Sequence, residues 1–397
     1  MTRANVLARG TSGVGRKLDL WQSSFERATA SAMALEKGWM SEEFAGVEPP
    51  SRPLPAIDDV SPLWVDASSS WSGRDWQADA FREGGNIAPI WSRADGADTA
   101  VVALTWVDEY QAIFARADSH LHDVGDLRGK RLGLPLDTGV NGFPGAVALR
   151  GLVTALGLAG IRPKHVSFVD TAGEESVREA REARGRGDGG EDDDQIEALL
   201  SGEVDAIFLR SRIGSEARGD VRLRELVNLT SHPDPLVRIN NATLRPLTVD
   251  RAFLHAHPDL VVRYLTVLLR TAAWAESHHD EVVRLLSSEI GGLSAREVLD
   301  VYGPDVHRSF TPALTPSHVR GLEEQKNFLR DWNFLTADFS VTNWIIPEPL
   351  AEAQKRARRQ PPIVDERESS LSAGSPLVGA SRGAGVAVDP FLRERGW

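Results

Sequence analysis

The run Thr99–Val107 (TAVVALTWV) constrains this chain most. It carries no charge and alternates nothing, so it reads as a strand buried on both faces, the pattern of a sheet covered by helices. Tyr110–Ala115 reads as a second buried strand, and Asp126–Leu134 as a turn into a third. An apolar helix from about Pro144 to Leu158 follows, then a strand at Lys164–Asp170, a short helix at Gln195–Ser201, and a turn into a strand at Gly202–Phe208. Strands alternating with helices predict an α/β protein with parallel or mixed sheets.

The flanks fit the same pattern. Leu18–Trp21 reads as a strand, Gln22-Ser23-Ser24 as a polar loop, and Glu26–Met40 as an Ala-rich helix that Gly38 stops. Such a loop at a helix N-terminus is either a small-anion site or a simple serine cap. Pro258 opens a long amphipathic helix to about Ser277, with Pro at its first position and Asp259 beside it. Further helices are expected near Asp280–Glu289, Ala295–Tyr302 and His318–Trp332. Residues 1–16 read as a flexible leader, 174–194 as a charge-dense exposed segment, and 360–397 as a mostly disordered tail.

Composition narrows the function. The 397 residues carry a formal net charge of −12, which argues against nucleic acid as a partner. A local Arg can still hold a small organic anion. With no cysteine, the chain has no disulfide, thiolate ligand or cysteine nucleophile. No apolar run is long enough for membrane insertion, and the first residues hold no secretory apolar core, so the expected location is the cytoplasm. The close histidines His120/His122, His255/His257 and His278/His279 read as caps and surface residues, which leaves no metal site. Neither Gly13-Val14-Gly15 nor the 185–190 run sits between strand and helix, so no nucleotide cofactor is implied.

The candidate site is Phe81–Ile90 (FREGGNIAPI). Arg82 offers a fork of paired N–H donors, and Gly84 and Gly85 let a ligand approach the main chain. Ser68–Ser72 with Trp71 and Trp76 forms a polar, Trp-bearing loop just before it, in which Trp71 and Ser72 are candidate lining residues. Ser23, and the second Gly-containing loop with Thr138 and Asn141, complete the expected binding set.

"DLRGKRLGLP", "SGEVDAIF" and the helix from His257 resemble the type II periplasmic-binding-protein fold, in its sulfonate and thiamine-precursor branch. That resemblance implies two α/β lobes with a ligand cleft between them and crossovers near Val102–Tyr110 and Leu226–Thr230. Lobe 1 would take residues 17–105 and 230–359, and lobe 2 residues 106–229. More narrowly, "AFREGGNIAPI", "EEQKNFLRDWNFL" and "VTNWIIPEPL" resemble the 2′-hydroxybiphenyl-2-sulfinate desulfinase family over most of residues 18–355. In that family the Arg and Gly backbone bind the sulfinate, which carries over to Arg82 and Gly85. Its catalytic Cys falls at or beside Ser24 and its His near Ser72, and no His occurs between Met1 and Arg116.

The anion clamp is therefore kept while both reactive groups are missing. The leading expectation is a cytoplasmic desulfinase-like enzyme that binds a small, aromatic oxyanion (sulfinate, sulfonate or carboxylate) with chemistry of its own, Ser24 being the candidate nucleophile. The alternative is a non-catalytic binding protein, a transporter's solute-binding subunit or a sensor, for sulfonate-like anions.

Overall fold

The computed structural model describes residues 21–24, 28–45, 52–53, 80–135, 143–172, 190–289 and 292–363. Ten strands run in chain order: β1 Trp21–Ser24, β2 Arg52–Pro53, β3 Ala80–Glu83, β4 Thr99–Trp106, β5 Gln111–Arg116, β6 Arg131–Leu134, β7 Ser167–Asp170, β8 Ile207–Arg210, β9 Leu223–Asn228 and β10 Leu244–Asp250. Four of the helices shape the site: α1 Ala30–Glu36, α2 Ile87–Ala94, α3 Phe143–Leu158 and α4 Pro258–Ala275.

The first sheet has the order β2-β1-β3-β10-β4. β1 is parallel to β2 and β3, while β10 runs antiparallel to both β3 and β4. The second half of the fold repeats this plan. β6 and β7 pair in parallel, a parallel bridge links Leu132 to Ala206 just before β8, and β5 lies antiparallel between β8 and β9. Its order is thus β7-β6-β8-β5-β9, with the same parallel and antiparallel neighbours. In each sheet the fourth strand is the one that directly follows a passage between the sheets, β10 in the first and β5 in the second.

The chain passes between the sheets twice, at residues 107–110 and 229–243. The second passage is longer, and sits later, than the expected Leu226–Thr230, because β9 keeps pairing with β5 through Asn228. The two passages are tied together: the Val107 N–H donates to Thr243 O (2.9 Å), and the Thr230 hydroxyl to Glu109 O (2.8 Å).

The continuous apolar run at β4 is buried throughout, with Trp106 alone half-exposed. α3 packs on the second sheet so closely that a Cβ on Gly151 would lie 2.1 Å from the Phe208 ring. One apolar core joins α2, α3, Val101 and Leu104 of β4, Leu132 of β6 and Trp344 near the C-terminal helices.

Two expectations are corrected here. The polar residues 22–24 are strand, not loop, because pairing with β3 in register from Trp21↔Ala80 to Ser24↔Glu83 extends β1 to Ser24. The helix expected at Glu26–Met40 starts only at Ala30. Thr29 is its cap, the hydroxyl accepting the Ala32 N–H at 3.1 Å, and Gly38 (φ 80) ends the helical run before a separate short helix.

Candidate functional site

β1 and β3 are parallel, so their C-terminal ends, Ser24 and Glu83–Gly85, open on the same edge of the first sheet. The helices that follow, α1 and α2, begin at that edge. In open α/β sheets this is where ligands settle.

Arg82 and Glu83 are consecutive on β3, so their side chains leave opposite faces of the sheet. Both are buried, at 4% and 1% exposure. Arg82 is registered between Ser23 of β1 and Thr248 of β10. Its guanidinium curls over the turn that follows the strand, with Nη1 and Nη2 3.4 and 3.5 Å from Gly85 O, the long end of hydrogen bonding.

That turn is held from the second interlobe passage. The Asn86 N–H donates to Asn241 O (2.9 Å), and the Ile87 N–H at the head of α2 donates to Asn241 Oδ1 (3.0 Å). Asn86 Nδ2 donates to Asn240 O (2.7 Å) and Leu244 O (2.9 Å). Asn240 Nδ2 reaches to Gln111 Oε1 at the start of β5 (3.2 Å) and to Val147 O in α3 (3.1 Å). Gly85 is required by contact: a Cβ there would lie 2.3 Å from Asn241 Nδ2.

Glu83 faces α1 and α4 instead. Its Oε2 accepts the Ser31 N–H at 3.4 Å, at the head of α1. The Ser31 hydroxyl, Thr105 and the Arg245 guanidinium lie around the carboxyl; burial nevertheless pushes it above its ordinary 4.5. Arg245 is fully buried and donates from Nε to Ala242 O (2.7 Å) and from Nη1 to Ala28 O. Tyr264 of α4 stacks on Phe81, ring centroids 3.9 Å apart. Burial, with the Glu83 charge, raises its hydroxyl well above 10.

The head of α1 is thus closed by the protein's own groups, Thr29 and Glu83. The expectation of an external anion there, or of a cap by Ser23 or Ser24, gives way to an internal carboxylate. Ser23 and Ser24 lie beside Arg82 and Glu83 by register. Trp71, Ser72, Thr138 and Asn141 lie outside the described residues, so the structure says nothing of them. Among the described residues no three His, Asp or Glu side chains converge on a metal position, and no helix is long and apolar enough to cross a membrane.

Sequence reasoning counted the Asn86 amide within the Phe81–Ile90 cluster but passed over Asn240 and Asn241 as its support. Consecutive asparagines just before a buried strand were the available signal, since Asn favours capping and turn contacts made through its side chain.

Two sheets of the same order, each with the strand that follows a passage lying antiparallel in fourth place, define the type II periplasmic-binding-protein fold, and this chain has it. Within that fold it is similar in sequence and architecture to 2′-hydroxybiphenyl-2-sulfinate desulfinase. It is 26% identical to the desulfinases of Rhodococcus erythropolis and Rhodococcus qingshengii over 312 residues, covering 70% of this chain and 81% of each relative. The crystal structure of a mutant of DSZB, a desulfurization enzyme, in complex with biphenyl-2-sulfinic acid superposes with a TM-score of 0.67 at 22% identity, covering 85% of this chain and 99% of that one. The periplasmic sulfonate-binding protein SsuA of Methylobacillus flagellatus gives 0.64 at 15% identity, over 87% and 96% of the two chains. The periplasmic aliphatic sulphonate binding protein of Escherichia coli gives 0.58 at 15%, over 95% and 99%. No protein-family model matches the sequence.

The cytoplasmic location expected from the first residues does not stand. It rested on a missing apolar stretch, and the fold is one shared with periplasmic solute-binding proteins.

Proposed function

We propose that this protein is a solute-binding protein for a small organic oxyanion of the sulfonate or sulfinate type, and that it does not perform the desulfinase reaction. The observation that carries the reading is Arg82, a buried cation at the C-terminal edge of a parallel strand pair, folded over a Gly-Gly turn. Arg82, Gly84 and Gly85, with Ser23 alongside, form the seat; Trp71, Ser72, Thr138 and Asn141 are proposed to complete its walls. The relatives' names agree in substrate type: a sulfinate for the desulfinases, sulfonates for the binding proteins. The absence of any cysteine removes a thiolate from the available chemistry.

Binding and turnover separate the readings. A panel of benzenesulfonate, methanesulfonate, benzenesulfinate and benzoate is expected to raise the melting temperature for its sulfonate or sulfinate members, with no sulfite released from the sulfinate. Sulfite release would favour an enzyme. Its observation in the structure is Ser24 in register with Glu83, the buried carboxylate that burial holds towards its protonated form. In that case Ser24→Ala would abolish the release.

A further inference from the structure

Asn240 is 4% exposed and lies in the second passage, between β9 and β10. An amide buried to that degree is costly unless it is paired, and this one is paired on every side. Its main-chain O accepts Asn86 Nδ2 at 2.7 Å, and its Oδ1 accepts the Asn241 N–H at 2.8 Å. Its Nδ2 donates to Gln111 Oε1 at the start of β5 (3.2 Å) and to Val147 O in α3 (3.1 Å). Both amide donors are therefore in use, and the side chain has none to offer a ligand. Gln111 is fixed in its turn: its N–H donates to the Thr230 hydroxyl (2.9 Å) and its Nε2 to Arg238 O (2.6 Å), which leaves Oε1 for Asn240. The turn at Gly84–Asn86, over which Arg82 folds, thus follows β3 in sequence and is tied through Asn240 to β5 and α3 of the second sheet.

We propose that Asn240 is a positioning residue that couples the anion seat to the second sheet. This rests on the anion-binding reading above. A shift of β5 and α3 relative to β3 moves the turn, and a ligand seated on Arg82 and the turn biases the arrangement of the two sheets in return, since coupling between two equilibria is reciprocal. Only an amide meets both demands at this position. An aspartate would keep the acceptor for the Asn241 N–H but set a carboxylate oxygen against Gln111 Oε1 and Val147 O. The turn itself has other support, because Asn241 accepts the Asn86 and Ile87 N–H groups. Loss of the Asn240 side chain therefore cuts the link while leaving those bonds to the turn.

The test combines calorimetric titration of benzenesulfonate with hydrogen–deuterium exchange, with and without that ligand, on the wild type, Arg82→Ala, Asn240→Ala and Gln111→Met. Asn240→Ala removes both donors and keeps the main-chain O that Asn86 uses. Gln111→Met cuts the same link from the other end and carries the test if Asn240→Ala does not fold. In the wild type, benzenesulfonate is expected to slow exchange in the turn, residues 84–90, and also at residues 107–115. In either variant the slowing is expected to be confined to 84–90, with affinity about 5- to 10-fold weaker. A merely structural role would lower the melting temperature and leave the ligand-dependent pattern intact. A folded variant that keeps the slowing at 107–115 overturns the coupling, as does a wild type in which only 84–90 slows, and the seat stands in both cases. If Arg82→Ala binds as the wild type does, or the wild type does not bind benzenesulfonate, the seat fails and the coupling with it.

Discussion

Two helices, α1 and α2, begin at the same edge of the same sheet, each after a parallel strand, and the protein closes their heads differently. α1 receives a carboxylate: the Ser31 N–H points at Glu83, which Arg245, Thr105 and Ser31 surround. α2 receives a carboxamide: the Ile87 N–H points at Asn241 Oδ1. The first closure buries a carboxyl, which burial pushes towards its protonated form while the nearby Arg245 charge opposes that shift. The second adds no charge, and Arg82 stands within the same turn. An external anion therefore meets an occupied position at α1 and a cation at α2. Two equivalent places in the fold have separated into one closed by a carboxyl and one that we propose is fitted to a ligand.

Removing the cation from the α1 side gives the largest stability effect. Arg245→Ala removes a fully buried guanidinium that donates to Ala242 O and Ala28 O and stands beside Glu83, and is expected to cost about 3–5 kcal/mol in urea unfolding. A loss no larger than that of a surface substitution would mean that Arg245 does not support the head of α1. On the α2 side the corresponding injury is steric. Gly85→Ala drives a methyl to 2.3 Å from Asn241 Nδ2 and is expected to destabilise by about 1–3 kcal/mol. Combining it with Asn241→Ala should return part of that stability, because the methyl then has room.

The smallest effect is in pH dependence. Burial raises the Glu83 pKa in the fold above its ordinary 4.5, so its contribution to stability is fully present below that value and is lost as pH rises through the folded pKa. Glu83→Gln removes the titration. Its melting temperature should fall less than that of the wild type between acid and neutral pH, a difference read by scanning calorimetry across the range. Parallel curves would show that Glu83 titrates as an exposed carboxyl does.

Much of this architecture is legible in the sequence because it depends on local pattern. The uncharged run at 99–107 could only be a covered strand, and α3 and α4 follow from apolar periodicity with Pro258 at the start of the second. Arg82 and the glycines stand out in the sequence for a similar reason: three residues in close succession offer a cation and bare main chain. The closures of α1 and α2 are not. Ile87 and Asn241 meet across 154 positions, and Ser31 and Glu83 across 52, so no local pattern names the partner of either residue. Nothing in the local sequence marks Glu83 as the buried carboxyl that it is. The Gly-Gly turn was legible as a place where a ligand can approach, whereas its support from Asn240 and Asn241 came from the far side of the second sheet's sequence.

The central claim is that Arg82 is the charge that holds the ligand. Calorimetric titration of benzenesulfonate into wild type and Arg82→Ala, with melting temperatures measured on both, tests it directly. The account predicts a folded variant whose affinity falls by about 2–5 kcal/mol, beyond detection for a ligand of moderate affinity. An Arg82→Ala protein that binds benzenesulfonate as tightly as the wild type would contradict it.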